Sequence, residues 1–118
     1  MHHQRYKRHY HHHYRRQLID QEADVERLFG KIREQRGHVD ILINNAGVGA
    51  FGLLADISAA DFDQVHAVNL RGTFLCSREA MRLMKEKQSG YIINISSSVG
   101  IKGYPNQSAY AASKHGIM

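Results

Sequence analysis

The sequence predicts an α/β protein: a parallel β-α-β unit with flanking helices, part of a doubly wound sheet. Two apolar, β-branched runs carry this, Val39 to Asn44 and Tyr91 to Ile95, with a long helical pattern between them. Neither run alternates, and continuous apolarity suits strands buried on both faces of a parallel sheet. The strand–helix–strand connection is right-handed, so both carboxyl ends meet at one sheet edge. Ligands of open α/β sheets bind outside that edge. Asn45–Gly47 follow the first run and Ser97 follows the second, so both come to one place.

In chain order, the front is unlike the rest. Residues 1–16 hold six histidines, three tyrosines, four arginines and Lys7, with no acid. The chain of 118 residues is +5, and residues 17–118 carry eleven basic and eleven acidic side chains, so the excess charge belongs to the front. Arginine with stacked tyrosine suits anions or nucleic acid, and His11, His12 and His13 suit a metal. A segment with nothing to bury stays disordered, however, and a tag remnant looks the same. Residues 1–17 therefore read as a disordered basic tail and 18–118 as the folded part, for which no nucleic acid, membrane or metal partner is expected. A lone cysteine, Cys76, excludes an intrachain disulfide and reads as helix packing. No apolar run has the length of a membrane span and no signal peptide is visible, so a soluble, cytoplasmic protein is expected.

Asp20 to Arg36 forms the first predicted helix. Val25, Leu28, Phe29 and Ile32 make one apolar stripe, with Asp20 as N-cap and Gly37 at the end. After the first strand, Gly47, Gly49 and Gly52 spell G-x-G-x-x-G. The dinucleotide fingerprint needs a helix opening at its third glycine and an acid ending the next strand. Neither follows here, so these glycines read as a loop over the cleft. Ser58 opens a helix to about Lys87, with Ser58 and Asp61 resembling a capping box. Phe62, Val65, Asn69, Gly72, Cys76, Ala80 and Leu83 form its stripe; Val68, Leu75 and Met84 point to burial on a second face. Asn69 thus falls on an apolar face, where a buried amide needs hydrogen-bond partners.

The second strand ends in Ser96, Ser97 and Ser98, and a new helix opens at Ser108. Tyr110 and Lys114 stand at i and i+4 on one face of it. A free phenol titrates near pH ~10, and a nearby ammonium favours its phenolate. Ser97 lies thirteen residues before Tyr110, and the loop between them can bring its hydroxyl and the phenol to one carbonyl oxygen.

Four segments in order resemble the short-chain dehydrogenase/reductases: Asn44-Asn45-Ala46-Gly47, Asn69 within Val68-Asn69-Leu70-Arg71-Gly72, Ile95-Ser96-Ser97, and Tyr110-Ala111-Ala112-Ser113-Lys114. The resemblance covers roughly Ala23 to Met118 and implies a partial Rossmann-like domain. It implies an oxidoreductase using NAD or NADP on a small-molecule carbonyl or alcohol. By resemblance Tyr110 is the general acid/base, and Lys114 lowers its pKa and binds the nicotinamide ribose. Ser97 holds the substrate oxygen and Asn69 supports a proton-relay water. Asn45, Ala46 and Gly47 line the cofactor cleft, and Asn44 braces the sheet. In the family the helices matching 58–87 and 108–118 often form a subunit interface, so the resemblance implies a homo-oligomer. The family's phosphate loop, NAD/NADP-selecting acid and substrate-covering segment have no counterpart in these residues. Its adenine-holding acid falls at Leu18, or at Asp20 with a shift of two. The alternative expectation is therefore a catalytically incompetent fragment or association module of the same fold.

Overall fold

A computed structural model describes residues 18–118. The tail assigned to residues 1–17 lies outside the described residues. Helix α1 spans Glu22–Gln35, strand β1 Ile41–Asn44, helix α2 Ala59–His66, helix α3 Gly72–Lys87, strand β2 Tyr91–Asn94 and helix α4 Ser108–Ile117. β1 and β2 pair in parallel, with Ile41 opposite Tyr91 and Asn44 opposite Asn94. This is the predicted β-α-β unit with flanking helices.

α1 begins two residues later than expected, and Asp20 does not cap it: Gln21 is the N-cap and its side chain makes no cap bond. The chain turns first, with Gln21 N donating to Leu18 O at 3.0 Å, and Asp24 takes the Leu18 N–H. Its end is as read. Gly37 adopts φ +77° and its N–H joins that of Arg36 on Ile32 O.

Ser58 caps α2, its Oγ accepting from Asp61 N at 3.0 Å; Asp61 returns no bond among the described residues. α2 and α3 are one continuous rod joined by a π turn, Ala67–Arg71. Gln88, left-handed at φ 55°, ends α3. Val65, Asn69, Gly72, Cys76, Ala80 and Leu83 are buried as the stripe predicts, but Phe62 is exposed. Cys76 is a packing residue, and burial pushes its thiol above the ordinary range.

The core lies between α1, α3 and one face of the sheet. Val25 and Phe29 meet Leu75, Cys76, Ala80, Leu83 and Met84, with Leu28, Ile32, Leu42 and Ile92 packed against them. The strands are not covered on both faces, as their continuous apolarity suggested. Ile41 (56%), Ile43 (57%), Tyr91 (72%) and Ile93 (46%) are exposed on the face opposite the core. No described element packs there.

Beneath the core, Glu79 is buried between two arginines. Arg82 Nη1 reaches both its oxygens at 2.9 and 3.1 Å, and Arg78 Nη2 reaches Oε1 at 3.2 Å. Arg78 also donates to Glu22 at 2.8 Å, tying α3 to α1 and holding the Glu22 carboxyl below its ordinary value.

Candidate active site

At the carboxyl edge of the sheet Asn44 closes the strand ends. Its Nδ2 donates to Asn94 Oδ1 at 2.8 Å and to Ser77 Oγ at 3.0 Å, joining β1 to β2 and to α3. The chain then enters the Asn45–Gly52 loop. Beside it is a cleft of about 290 Å³, lined by Asn45, Gly47, Phe51, Ser96, Tyr110 and Lys114 among others. Two strand ends and the first turns of α4 thus supply one concavity, as the topology requires.

The floor is set by Asn69. The π turn presents its side chain inward, fully buried, toward the loop after β1. Its Oδ1 accepts from Val48 N and its Nδ2 donates to Val48 O, both at 2.8 Å. The same Nδ2 donates to Ser113 Oγ at 3.0 Å, and Ser113 Oγ donates to Tyr110 O at 2.7 Å. Asn69, the β1 loop and α4 are thereby one hydrogen-bonded unit. Ser113 is fully buried at its centre. Its part was not read from the sequence; the available signal was a serine on the inner face of an alanine-rich helix.

Lys114 is only 4% exposed. Its Nζ donates to Ile95 O at 3.1 Å and stands 5.7 Å from the Tyr110 ring centroid. Burial lowers its pKa from the ordinary lysine value. An ammonium has three donors, and the structure gives Nζ one acceptor among the described residues. A Cβ on Gly47 would lie 3.4 Å from Lys114 Nζ and 3.5 Å from Asn69 Oδ1, so glycine keeps the space over both groups open.

Of the expected site residues, Asn45, Gly47, Tyr110 and Lys114 line the cleft, and Asn69 sits beneath it. Ala46 and Ser97 are not among its lining; Ser96 is, with its Oγ donating to Lys114 O at 2.9 Å. Ser97 caps the short turn Ser98–Gly100, its Oγ accepting from Val99 N at 3.4 Å. That bond uses a lone pair and leaves the hydroxyl proton without a partner among the described residues. Among the described residues no group of three or more His, Cys, Asp or Glu side chains could hold a metal. No described helix is long and apolar enough to cross a membrane.

A parallel sheet edge carrying a buried amide, a tyrosine and a buried lysine defines the class: an α/β protein with a polar cleft at the carboxyl ends of its strands. The short-chain dehydrogenase model matches residues 3–118, and the chain belongs to that family. The match reaches back beyond Ala23, into the stretch read as a tail. A short-chain dehydrogenase/reductase of Armillaria gallica is 43% identical over 100 residues, covering 84% of this chain and 38% of that protein. Sepiapterin reductase of Chlorobaculum tepidum is 44% identical over 98 residues, covering 83% and 40%. The crystal structure of levodione reductase superposes with a TM-score of 0.82 at 40% identity, covering 86% of this chain and 40% of that one. The chain spans about 40% of the length of the curated relatives it matches.

Proposed function

We propose that the chain carries the reaction centre of an oxidoreductase, one that uses NAD or NADP to interconvert a small-molecule carbonyl and a secondary alcohol. The observation that carries this is the meeting of Tyr110, Lys114, Asn45 and Gly47 at one cleft. The relatives support the reaction class, since levodione reductase and sepiapterin reductase are reductases by name.

In this reading the Tyr110 phenol gives its proton to the carbonyl oxygen in reduction and takes it back in oxidation. Lys114 keeps a positive charge beside the phenol, which favours the phenolate that remains after transfer. The low exposure of Lys114 makes that charge count for more than it would in water. Its unused donors would be free to hold a ribose hydroxyl, and the open space above Gly47 would fit a group lying across Lys114 and Asn69. Asn45 and Gly47, with Ala46 between them, would hold the nicotinamide half. When bound, the nicotinamide supplies or accepts the hydride at the carbonyl carbon. Ser97, outside the cleft lining but next to Ser96 in it, would donate its unpartnered proton to the substrate oxygen. Asn69 fixes the loop and supports the water through which Tyr110 is reprotonated.

The same reading includes a cytoplasmic location and a homo-oligomer formed through the 58–87 and 108–118 helices. The exposure of Phe62, Phe74 and Met118 on those elements supports such an interface.

The test is titration of the chain with NADH and NADPH by fluorescence, then carbonyl-dependent oxidation of whichever binds, with Tyr110→Phe beside it. Binding retained and turnover lost in Tyr110→Phe is the expected result. Turnover unaffected by Tyr110→Phe removes the assignment, and absence of cofactor binding favours the association-module reading.

A further inference from the structure

The loop after β1 carries a phenyl ring that the core does not use. Phe51 is 62% exposed and is no member of the core cluster. Its ring nonetheless stands edge-on to Tyr110, with centroids 5.4 Å apart and planes at 64°. It lines the same cleft as Gly47, Ser96, Tyr110 and Lys114.

The backbone is arranged to keep it there. A Cβ on Gly49 would overlap the outer edge of the Phe51 ring, so the ring folds back over the loop only because residue 49 has no side chain. Gly52, at φ +152°, donates its N–H to Asn106 O at 2.9 Å. That bond ties the loop to the segment leading into α4, the element that carries Tyr110. A large apolar side chain held in water beside a reacting hydroxyl gives up favourable burial unless something else covers it.

We propose that Phe51 is the apolar wall of the substrate pocket and selects carbonyl compounds bearing an aromatic or similarly flat apolar ring on the carbonyl carbon. The inference rests on the reading of Tyr110 as the group that meets the carbonyl oxygen. With that oxygen fixed on Tyr110 Oη, a substituent of the carbonyl carbon lies within reach of the neighbouring ring. A flat apolar substituent gains area burial and an edge-to-face or offset contact. A methyl group reaches too little of the ring to gain either.

The test is NMR titration of the full 118-residue chain with acetophenone and with acetone, reading the Tyr110 ring resonances. Four proteins are compared: the natural chain, Phe51→Ala, Gly49→Ala and Tyr110→Phe, the last read through the phenyl ring that the substitution introduces. Phe51→Ala is expected to weaken acetophenone about fivefold, within the range of an aromatic pair, and to leave acetone unchanged. Gly49→Ala retains the phenyl but displaces it, and is expected to weaken acetophenone by a similar factor. Tyr110→Phe is expected to weaken both ketones, since both lose the same hydrogen bond. Unchanged acetophenone affinity in Phe51→Ala, an equal loss for both ketones there, or no acetophenone binding by the natural chain overturns the wall. If Tyr110→Phe still weakens both ketones, the reading of Tyr110 survives that result. A Tyr110→Phe chain that binds both as the natural chain does overturns the Tyr110 reading, and the wall with it.

Discussion

Asn69 grips Val48 by both of its backbone polar groups, accepting from the N–H and donating to the carbonyl, each at 2.8 Å. One buried side chain therefore does for this loop what a neighbouring strand does for a sheet. Asn69→Ala frees Val48 N and O and removes a donor from Ser113. The expected cost is about 1–3 kcal/mol, the range for leaving such groups unsatisfied. Asn69→Asp keeps an acceptor for Val48 N but sets a carboxylate oxygen against Val48 O, so it too is expected to destabilise. Urea unfolding followed by circular dichroism measures both, and a midpoint unmoved by either substitution contradicts the bracing role.

Lys114 gives the fold a pH signature. Burial lowers its folded pKa below the ordinary value of 10.5. The unfolded chain therefore binds this proton more tightly than the folded one. Below the folded pKa both states are charged and the burial cost is present in full. As pH rises from the folded pKa toward 10.5 the cost is relieved, and stability contributed by this site increases. Thermal midpoints depend on pH through more than one group, so the measurement is a difference: thermal midpoints from about pH 7 to 10.5 for the natural chain minus those for Lys114→Met. A difference that rises with pH is expected, and a flat or falling one is not compatible with a desolvated ammonium.

Ser97 separates stability from chemistry. Its contact with Val99 N is long, 3.4 Å, and serves a single short turn. Ser97→Ala is expected to cost less than about 0.5 kcal/mol, the low end for lost caps. If its free proton serves the substrate oxygen, the same substitution lowers carbonyl turnover by about a hundredfold, comparable to losing one oxyanion donor. A melt and an assay on one preparation decide it, and a large stability loss with equal loss of cofactor binding points to a purely structural serine.

The strands, the long rod and the shared sheet edge were legible in the sequence because apolar runs and helically spaced stripes report burial directly. The π turn was not, since Ala67–Arg71 looks helical by composition and the widened turn shows only when the inward Asn69 is seen meeting the β1 loop. Asp20 misled because a capping residue type says nothing of the turn at Leu18–Gln21 that delays the helix. The open sheet face misled for a different reason: an apolar strand reads alike whether or not another element covers it. Composition alone does not single out Phe51 in its loop; Gly49, two positions earlier, is the signal that space is made for it.

The exposed face of the sheet should govern how the chain behaves in solution. Ile41 pairs in register with Tyr91, and Ile43 with Ile93, so four exposed apolar side chains form one contiguous patch. Both outer edges of the two-stranded sheet also lack a hydrogen-bonded neighbour among the described residues. Apolar patches and unpaired strand edges each promote association, and here they coincide. The proposed helical interface is elsewhere, at Phe62 and Phe74. Two association modes should therefore separate by mutation. Ile43→Lys with Ile93→Lys is expected to suppress open-ended, concentration-dependent aggregation while moving the melting free energy by about 0.5 kcal/mol or less, as for exposed positions. Phe74→Glu is expected to reduce a discrete dimer and leave open-ended aggregation in place. Sedimentation velocity from ~5 to ~200 μM, a span over which mass action favours assembly, reads both. A natural chain that stays monomeric throughout, or a lysine pair that aggregates as before, shows that the sheet face is not the surface responsible.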